Sequence, residues 1–334
     1  MIEFTLNYNR FTNMEFIIAE EDKGKRIDKY LVESLGDEKT RGDIIRMIRS
    51  GVVEINGKTA KPSYTLKGGE HIFMGEFVDK SKKILPNRNI ALEIIDHQPD
   101  FIVINKQRGL QVHPSHRERD KTLVNVLLAI YPEIEGVGDD EERPGIVHRL
   151  DKDTTGLMVV AKNQKGFDAL KKAFKERKIK KTYHTLVFGA FQEKIGVIDA
   201  PIARATSYTK QKIAFGKYTG DSKDSQTEYT QLEEYDINGE NIISLVEARP
   251  QTGRTHQIRV HMAHIGHPLV GDQRYYTKTE KRLRLNFAKE YETHTFFLHA
   301  KELEIPYEGQ VYKYEVDYPG RFKAFIKHLQ NFTV

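Results

Sequence analysis

Cysteine is absent from the chain. That removes disulfides, thiolate nucleophiles and thiolate metal sites, and it suits a reducing cytoplasm. Long apolar runs are absent too: nothing approaches the roughly 18 residues of a membrane span. Residues 1–16 lack the basic-then-apolar order of a signal peptide. The expectation is therefore a cytoplasmic protein with no membrane partner. Repeats and low-complexity tracts are missing as well. Nor does charge of one sign dominate, with a net +5 on 334 residues, 38% hydrophobic and 30% charged. At that balance the placement of charge says more than its sum.

What the chain does have is the run His148-Arg149-Leu150-Asp151-Lys152-Asp153-Thr154-Thr155-Gly156. A carboxylate follows the apolar and basic approach Gly145 to Leu150, and a polar turn leads into Leu157 to Ala161, which reads as a buried strand. Asp151 thus stands on a turn between ordered segments, held by scaffold yet reachable, and flanked by Arg149 and Lys152. A positioned Asp can serve as a nucleophile. The bland alternative is an Asp that only closes a turn.

Residues 23–78 read as a small module. Ile27, Leu31 and Leu35 recur at helical spacing, Ile44, Ile45 and Ile48 mark a second helix ending near Gly51, and Asn56-Gly57 turns a hairpin after Val52 to Ile55. Eleven basic residues oppose six acidic ones between Lys23 and Lys67. Residues 1–22 read as an extension, with Met14 a natural beginning, and 79–89 as a polar linker. The larger domain, 90–334, opens with strands at Ala91 to Ile95 and Phe101 to Asn105. A helix follows at Thr122 to Ile130, with Leu123, Val126, Leu127 and Ile130 on one face. Asn163 is placed to cap a helix that faces Phe167, Leu170 and Phe174 inward. Its far end begins a run, 171–181, where seven basic residues oppose Glu176 alone. Lys171, Lys175 and Lys178 are candidate phosphate contacts there. Thr255 suits the cap of a helix whose stripe is Ile258, Met262 and Ile265, closed by Gly266 and Pro268.

The run at 148–156 resembles the catalytic motif of the RluA-type pseudouridine synthases, which isomerise uridine in ribosomal and transfer RNA, and matching segments span nearly the whole chain. The resemblance implies an α+β catalytic domain with a mostly antiparallel central sheet. It makes Asp151 the nucleophile, gives a site role to Tyr183 on the alternating stretch Lys181 to Val187, and makes Arg259 the salt-bridge partner of Asp151. Arg149 would fill the space of an extruded base, and Arg254 and His256 would contact backbone or phosphate. Asn105 to Pro114 resembles the family's strand-end wall, with Gln107 where the family has Pro. The module at 23–78 is similar to the small α/β RNA-binding domain named after a small-subunit ribosomal protein. Arg41 and Arg46 on its second helix are expected RNA contacts, although Thr40-Arg41-Gly42 replaces the usual Ser-Arg-Ser. No cofactor or obligate protein partner is implied. The expected partner is structured RNA, ribosomal first (its large-subunit branch) and transfer RNA second. A rival uridine chemistry, methylation through a cysteine adduct, is excluded by composition.

Two other readings stay open. Asp151-x-Asp153-x-Thr155 also spells the opening signature of magnesium-dependent phosphoaspartyl phosphatases, and Gly271-Asp272-Gln273 begins a metal-binding pair, without the second acid. A catalytically inactive RNA-binding protein is the other. Histidines 256, 261, 264 and 267 invite a metal, but their spacing matches no ligand pattern and no acid lies among them.

Overall fold

Residues 13–36, 39–75, 84–115, 117–204, 211–213, 222–237, 241–276 and 294–331 are described by the computed structural model of the protein. They fall into two compact units, Met1–Lys83 and Ile84–Val334.

In the first unit the Asn56-Gly57 dipeptide takes positive φ at both positions, 49° and 75°. This is the turn that matches strand twist, and it joins Val53–Ile55 (β2) to Lys58–Thr59 (β3). With Met14–Ile17 (β1) and His71–Met74 (β4) they form an antiparallel sheet in the order β1-β4-β2-β3. Residues 14–17, expected in an extension, are instead a sheet strand, because β4 has a free edge for them. The helices Ile27–Leu35 (α1) and Arg41–Ser50 (α2) bury Ile27, Leu31, Ile44 and Ile48 against this sheet. Thr40 caps α2 through a reciprocal pair with Asp43, so the residue after Gly42 supplies the second capping group.

The second unit is built on a nine-stranded sheet. Its strands are Glu93–His97 (β5), Phe101–Lys106 (β6), Thr155–Ala161 (β7), Lys180–Phe188 (β8), Ile195–Asp199 (β9), Gln226–Asp236 (β12), Ile242–Pro250 (β13), Leu298–Tyr307 (β14) and Gln310–Glu315 (β15). Ile202–Arg204 (β10) and Gln211–Ile213 (β11) form a separate two-stranded sheet. The large sheet runs β5-β6-β7-β14-β8-β13-β12-β9, with β15 on β14. Its pairings are antiparallel except β7 with β14. The fold is α+β with a mostly antiparallel sheet.

Strand β7 is buried at every residue, as its unbroken apolar run requires. Leu123–Ile130 (α3) is buried almost all round, but Ile130, expected in its core stripe, is 45% exposed at the end of the helix. Ile84 sits against Val124 and Leu128, and the Leu85 carbonyl accepts from Asn125, so this part of the expected linker belongs to the second unit. Gln164–Lys175 (α4) is capped by Asn163, which accepts from the Gly166 N–H. Gln257–His264 (α5) and Gly320–Gln330 (α6) complete the described helices. The cap of α5 is His256, not Thr255: φ at His256 is 58°, and no side chain caps the helix. None of the described helices is long and apolar enough to cross a membrane.

Candidate active site

Asp151 is placed by backbone contacts on both sides. Upstream, His148 Nε2 accepts the Val159 N–H at 3.0 Å, and its ring lies 4.6 Å from that of Phe174. Burial pushes this imidazole down to about 3, so it works as a neutral acceptor. Leu150 is buried beside it. Downstream, the Asp151 carbonyl accepts from Thr154 N–H, closing the turn. Gly156 follows at φ 106°, and a β-carbon there would lie 2.2 Å from the Ala300 carbonyl oxygen. Only glycine lets β7 meet β14 at that point.

The turn is fixed from below by Lys106, which is fully buried. Its ammonium donates to the carbonyls of Leu110, Gln107 and Lys152 at 2.9, 3.0 and 3.1 Å. Lys152 O also accepts from Gly109 N–H. Burial pushes Lys106 down to about 7, while the charges of Asp153 and Asp151 oppose the shift. Three acceptors use all three N–H groups of the charged form.

Arg259 Nη1 donates to Asp151 Oδ2 at 2.9 Å. Its Nε and Nη2 donate to Asp272 Oδ2 and Oδ1 at 2.7 and 3.1 Å. The guanidinium carbon lies 4.3 Å from the centre of the Phe296 ring and 5.1 Å from that of Tyr275, within cation–π range of both. Asp272 accepts the N–H groups of Arg274 and Tyr275. Gly271, at φ 83°, admits the chain where a β-carbon would strike the Thr295 carbonyl at 2.3 Å. Opposing these partners, burial disfavours the Arg259 charge, yet Asp272 and Asp151 prevail and raise it above the usual arginine value.

His256 approaches the same carboxylate oxygen as Arg259, its Nε2 3.8 Å from Asp151 Oδ2. Burial lowers it to about 4, so it is neutral near pH 7. Its Nδ1 shares a 2.6 Å hydrogen bond with the Tyr275 hydroxyl, whose oxygen accepts from Gln211 N–H of β11. Tyr183 on β8 is buried, and burial together with the Asp151 charge raises its phenol above the ordinary value.

Asp151, Tyr183, His256 and Arg259 line a cleft of about 290 Å³ with Arg149, Arg177, Lys181 and Arg254. Among the described residues Asp151 is its one lining carboxylate. The expected trio Asp151, Tyr183 and Arg259 therefore shares one cleft, with Arg149, Arg254 and His256 around it. Lys171, Lys175 and Lys178 do not line it: Lys171 pairs with Asp139 and Lys178 with Glu176. In the small unit, Arg41 binds the buried Asp28 carboxylate, which Arg26 and Arg41 hold down at about 2, and Arg46 pairs with Asp43.

Asp153 lines a different, 990 Å³ cleft beside Arg108 and Arg321, so the two acids of the phosphatase signature do not face one site. Asp272 is spent on Arg259. The histidines diverge: His261 contacts Thr227, Ser225 and Ala200, and His267 stacks on Phe191. Among the described residues no cluster of three His, Asp or Glu could hold a metal.

Sequence reasoning missed Asp272, Tyr275, Phe296 and Gln257 as parts of this site, and read Lys106 only as wall. Gln257 is buried and accepts from Thr252 Oγ1 and Arg254 N–H, fixing the loop that carries Arg254. A lysine at the end of a strand, just before the turn at Gly109, was the one signal within local reach.

Residues 100–264 match the model of the RNA pseudouridylate synthase family, and 25–72 match the S4 domain. An uncharacterized RNA pseudouridine synthase of Aquifex aeolicus is 36% identical over 95% of this chain and 97% of its own length. Ribosomal large subunit pseudouridine synthase D of Escherichia coli K12 is 39% identical over 77% of this chain and 74% of its own. Human RNA pseudouridylate synthase domain containing 1 superposes with a TM-score of 0.54 at 28% identity, covering 70% of this chain and 86% of that one. With its cleft, its N-terminal module and these likenesses, the chain belongs to the RluA-type RNA pseudouridine synthases.

Proposed function

We propose that the protein converts uridine to pseudouridine in structured RNA, with large-subunit ribosomal RNA as the substrate. The observation that carries this reading is the Asp151 carboxylate held by Arg259 at the floor of a cleft ringed with cations. Relatives named for the large ribosomal subunit and the S4 domain favour the ribosomal substrate over transfer RNA.

A stacked uridine cannot reach Asp151, so the base leaves its helix at a cost of a few kcal/mol. Arg149, exposed at the rim, fills the gap and meets phosphate. Asp151 then takes part in breaking the bond between uracil N1 and the anomeric carbon. It does so either by attack at that carbon to form an ester or by removing a sugar proton to form a glycal. Uracil departs with the bonding electrons, turns, and re-bonds through carbon five, whose proton is then removed while N1 gains one. Bonds are exchanged within one substrate, so no electron or group donor enters the balance.

Tyr183 offers a ring for stacking. Its phenol is raised partly by the Asp151 charge, and that part vanishes once the carboxylate is esterified or protonated. Burial is the larger cause of the raised phenol, so Tyr183 keeps its proton at neutral pH; it acts on the carbon-five proton as a relay, accepting it while its own hydroxyl proton passes to the regenerated Asp151 carboxylate.

The test is tritium release from RNA labelled at uridine carbon five, with wild type and Asp151→Ala, both in EDTA. Release by wild type alone supports the reading. RNA binding without release by either protein makes this a binding protein, and loss of binding in Asp151→Ala removes the nucleophile assignment.

A further inference from the structure

Four non-glycine residues among those described have positive φ: Asn56, Arg177, His256 and Glu308. Asn56-Gly57 and Glu308-Gly309 are hairpin turns, where such φ values are ordinary. The other two, Arg177 and His256, both line the cleft. Arg177 follows the last turn of α4, with φ 56°. Its N–H donates to the Phe174 carbonyl and that of Lys178 to the Ala173 carbonyl. Helices that end this way usually place glycine at that position, since a β-carbon there is strained. Here the sequence places an arginine, and strain of this kind concentrates at functional sites.

Four residues on, Lys181 stands on the same face of β8 as Tyr183. Lys181 Nζ reaches one carbonyl, Thr252 O, at 3.4 Å, and among the described residues no carboxylate pairs with it or with Arg177. Neighbours in the run differ: Lys178 is paired with Glu176 and Lys180 with Glu304. Across from Lys181 on β14 is Leu303, while Glu302 and Glu304 stand opposite Thr182 and Lys180, on the alternate face. From the other elements the cleft presents neutral His148 and His256, Arg149, Arg254 and, bound to Arg259, Asp151.

We propose that Arg177 and Lys181 form a lip that grips one phosphodiester of the RNA strand beside the extruded uridine. The proposal rests on the pseudouridine synthase reading. Arg177 supplies a fork for two phosphate oxygens and Lys181 a point charge. The phosphate provides the anionic partner that both cations lack. Burial lowers Lys181 to about 8. A phosphate contact favours the ammonium, so binding takes up protons near that pH, and affinity falls as pH rises above it.

The experiment is filter binding of full-length protein to a large-subunit ribosomal RNA transcript, across salt concentrations and from pH 7 to 9.5. Arg177→Gln and Lys181→Gln are each expected to weaken binding about tenfold, raise KM in parallel, and reduce the slope of log Kd against log salt by about one. Lys181→Arg is expected to keep the slope and lose the alkaline fall in affinity. Arg177→Gly is expected to unfold at higher temperature than wild type, since glycine accepts the backbone, yet to bind as weakly as Arg177→Gln. Unchanged slopes in both glutamine variants overturn the lip, as does wild-type affinity in Arg177→Gly. Tritium release is measured separately. A wild type that never releases tritium while these slopes still fall sinks the isomerase reading and leaves the lip standing.

Discussion

Asp272 grips Arg259 through two hydrogen bonds, at 2.7 and 3.1 Å, on the edge of the guanidinium that Asp151 does not use. The fork is thereby committed before substrate arrives, and Nη1 is left to aim at the Asp151 carboxylate. Both members are nearly inaccessible, so breaking the pair leaves a buried charge without its main partner.

Asp272→Asn is therefore expected to lower stability by about 3 kcal/mol. It should also cut kcat by on the order of 100-fold through loss of aim at Asp151. Thermal unfolding together with single-turnover kinetics checks both. Wild-type turnover in a folded Asp272→Asn protein contradicts the positioning role.

Lys106→Met keeps the length of the side chain and removes the donor for three carbonyls. The lost hydrogen bonds, at the Leu110, Gln107 and Lys152 carbonyls, cost more than the relief of a buried charge returns, a net loss of roughly 2 kcal/mol, although Lys152 O keeps its bond from Gly109 N–H. Because one of them is the Lys152 carbonyl, kcat should fall well over tenfold while RNA affinity holds. Equal losses in Kd and kcat would assign Lys106 to the RNA interface instead.

Tyr183→Phe separates the ring from the hydroxyl. It should bind RNA within about twofold of wild type and form pseudouridine at least 100-fold more slowly, as expected for removal of a general base. Tyr183→Leu should lose affinity as well. A Tyr183→Phe enzyme with wild-type turnover would reduce the residue to a stacking platform.

Acid should destabilise this protein below neutrality. Burial holds His148 near 3 and His113, His184, His256 and His299 near 4 in the fold, against about 6.5 when unfolded. Between those values the unfolded chain binds more protons, so stability is complete above pH 6.5 and drains away as pH falls toward 4. Tm measured from pH 7.5 to 5 should drop. His148→Gln, which keeps an acceptor for Val159 N–H, should flatten the drop.

The sequence alone determined whatever depends on neighbours in the chain. Asp151 sits between a basic approach and a buried strand, Asn56-Gly57 makes its turn, Asn163 caps α4, and β8 puts Tyr183 on a defined face. Each follows from local backbone geometry or from a period of two or 3.6. The pairing of Asp151 with Arg259, 108 residues apart, could be named from resemblance but not from any local pattern. What only the tertiary structure decided has the same cause throughout. Asp272 becomes the second hand on Arg259, and not part of a metal site, because Gly271 lets its strand-side loop pass under Thr295. Lys106 becomes a buried clamp because β6 ends beneath the Asp151 turn. Arg177 and Lys181, rather than Lys171 or Lys178, reach the cleft because the left-handed turn after α4 redirects the chain. Burial and the pairing of Asp151 with Arg259 are set by residues that meet only when the sheet closes, and no short window of sequence contains both partners.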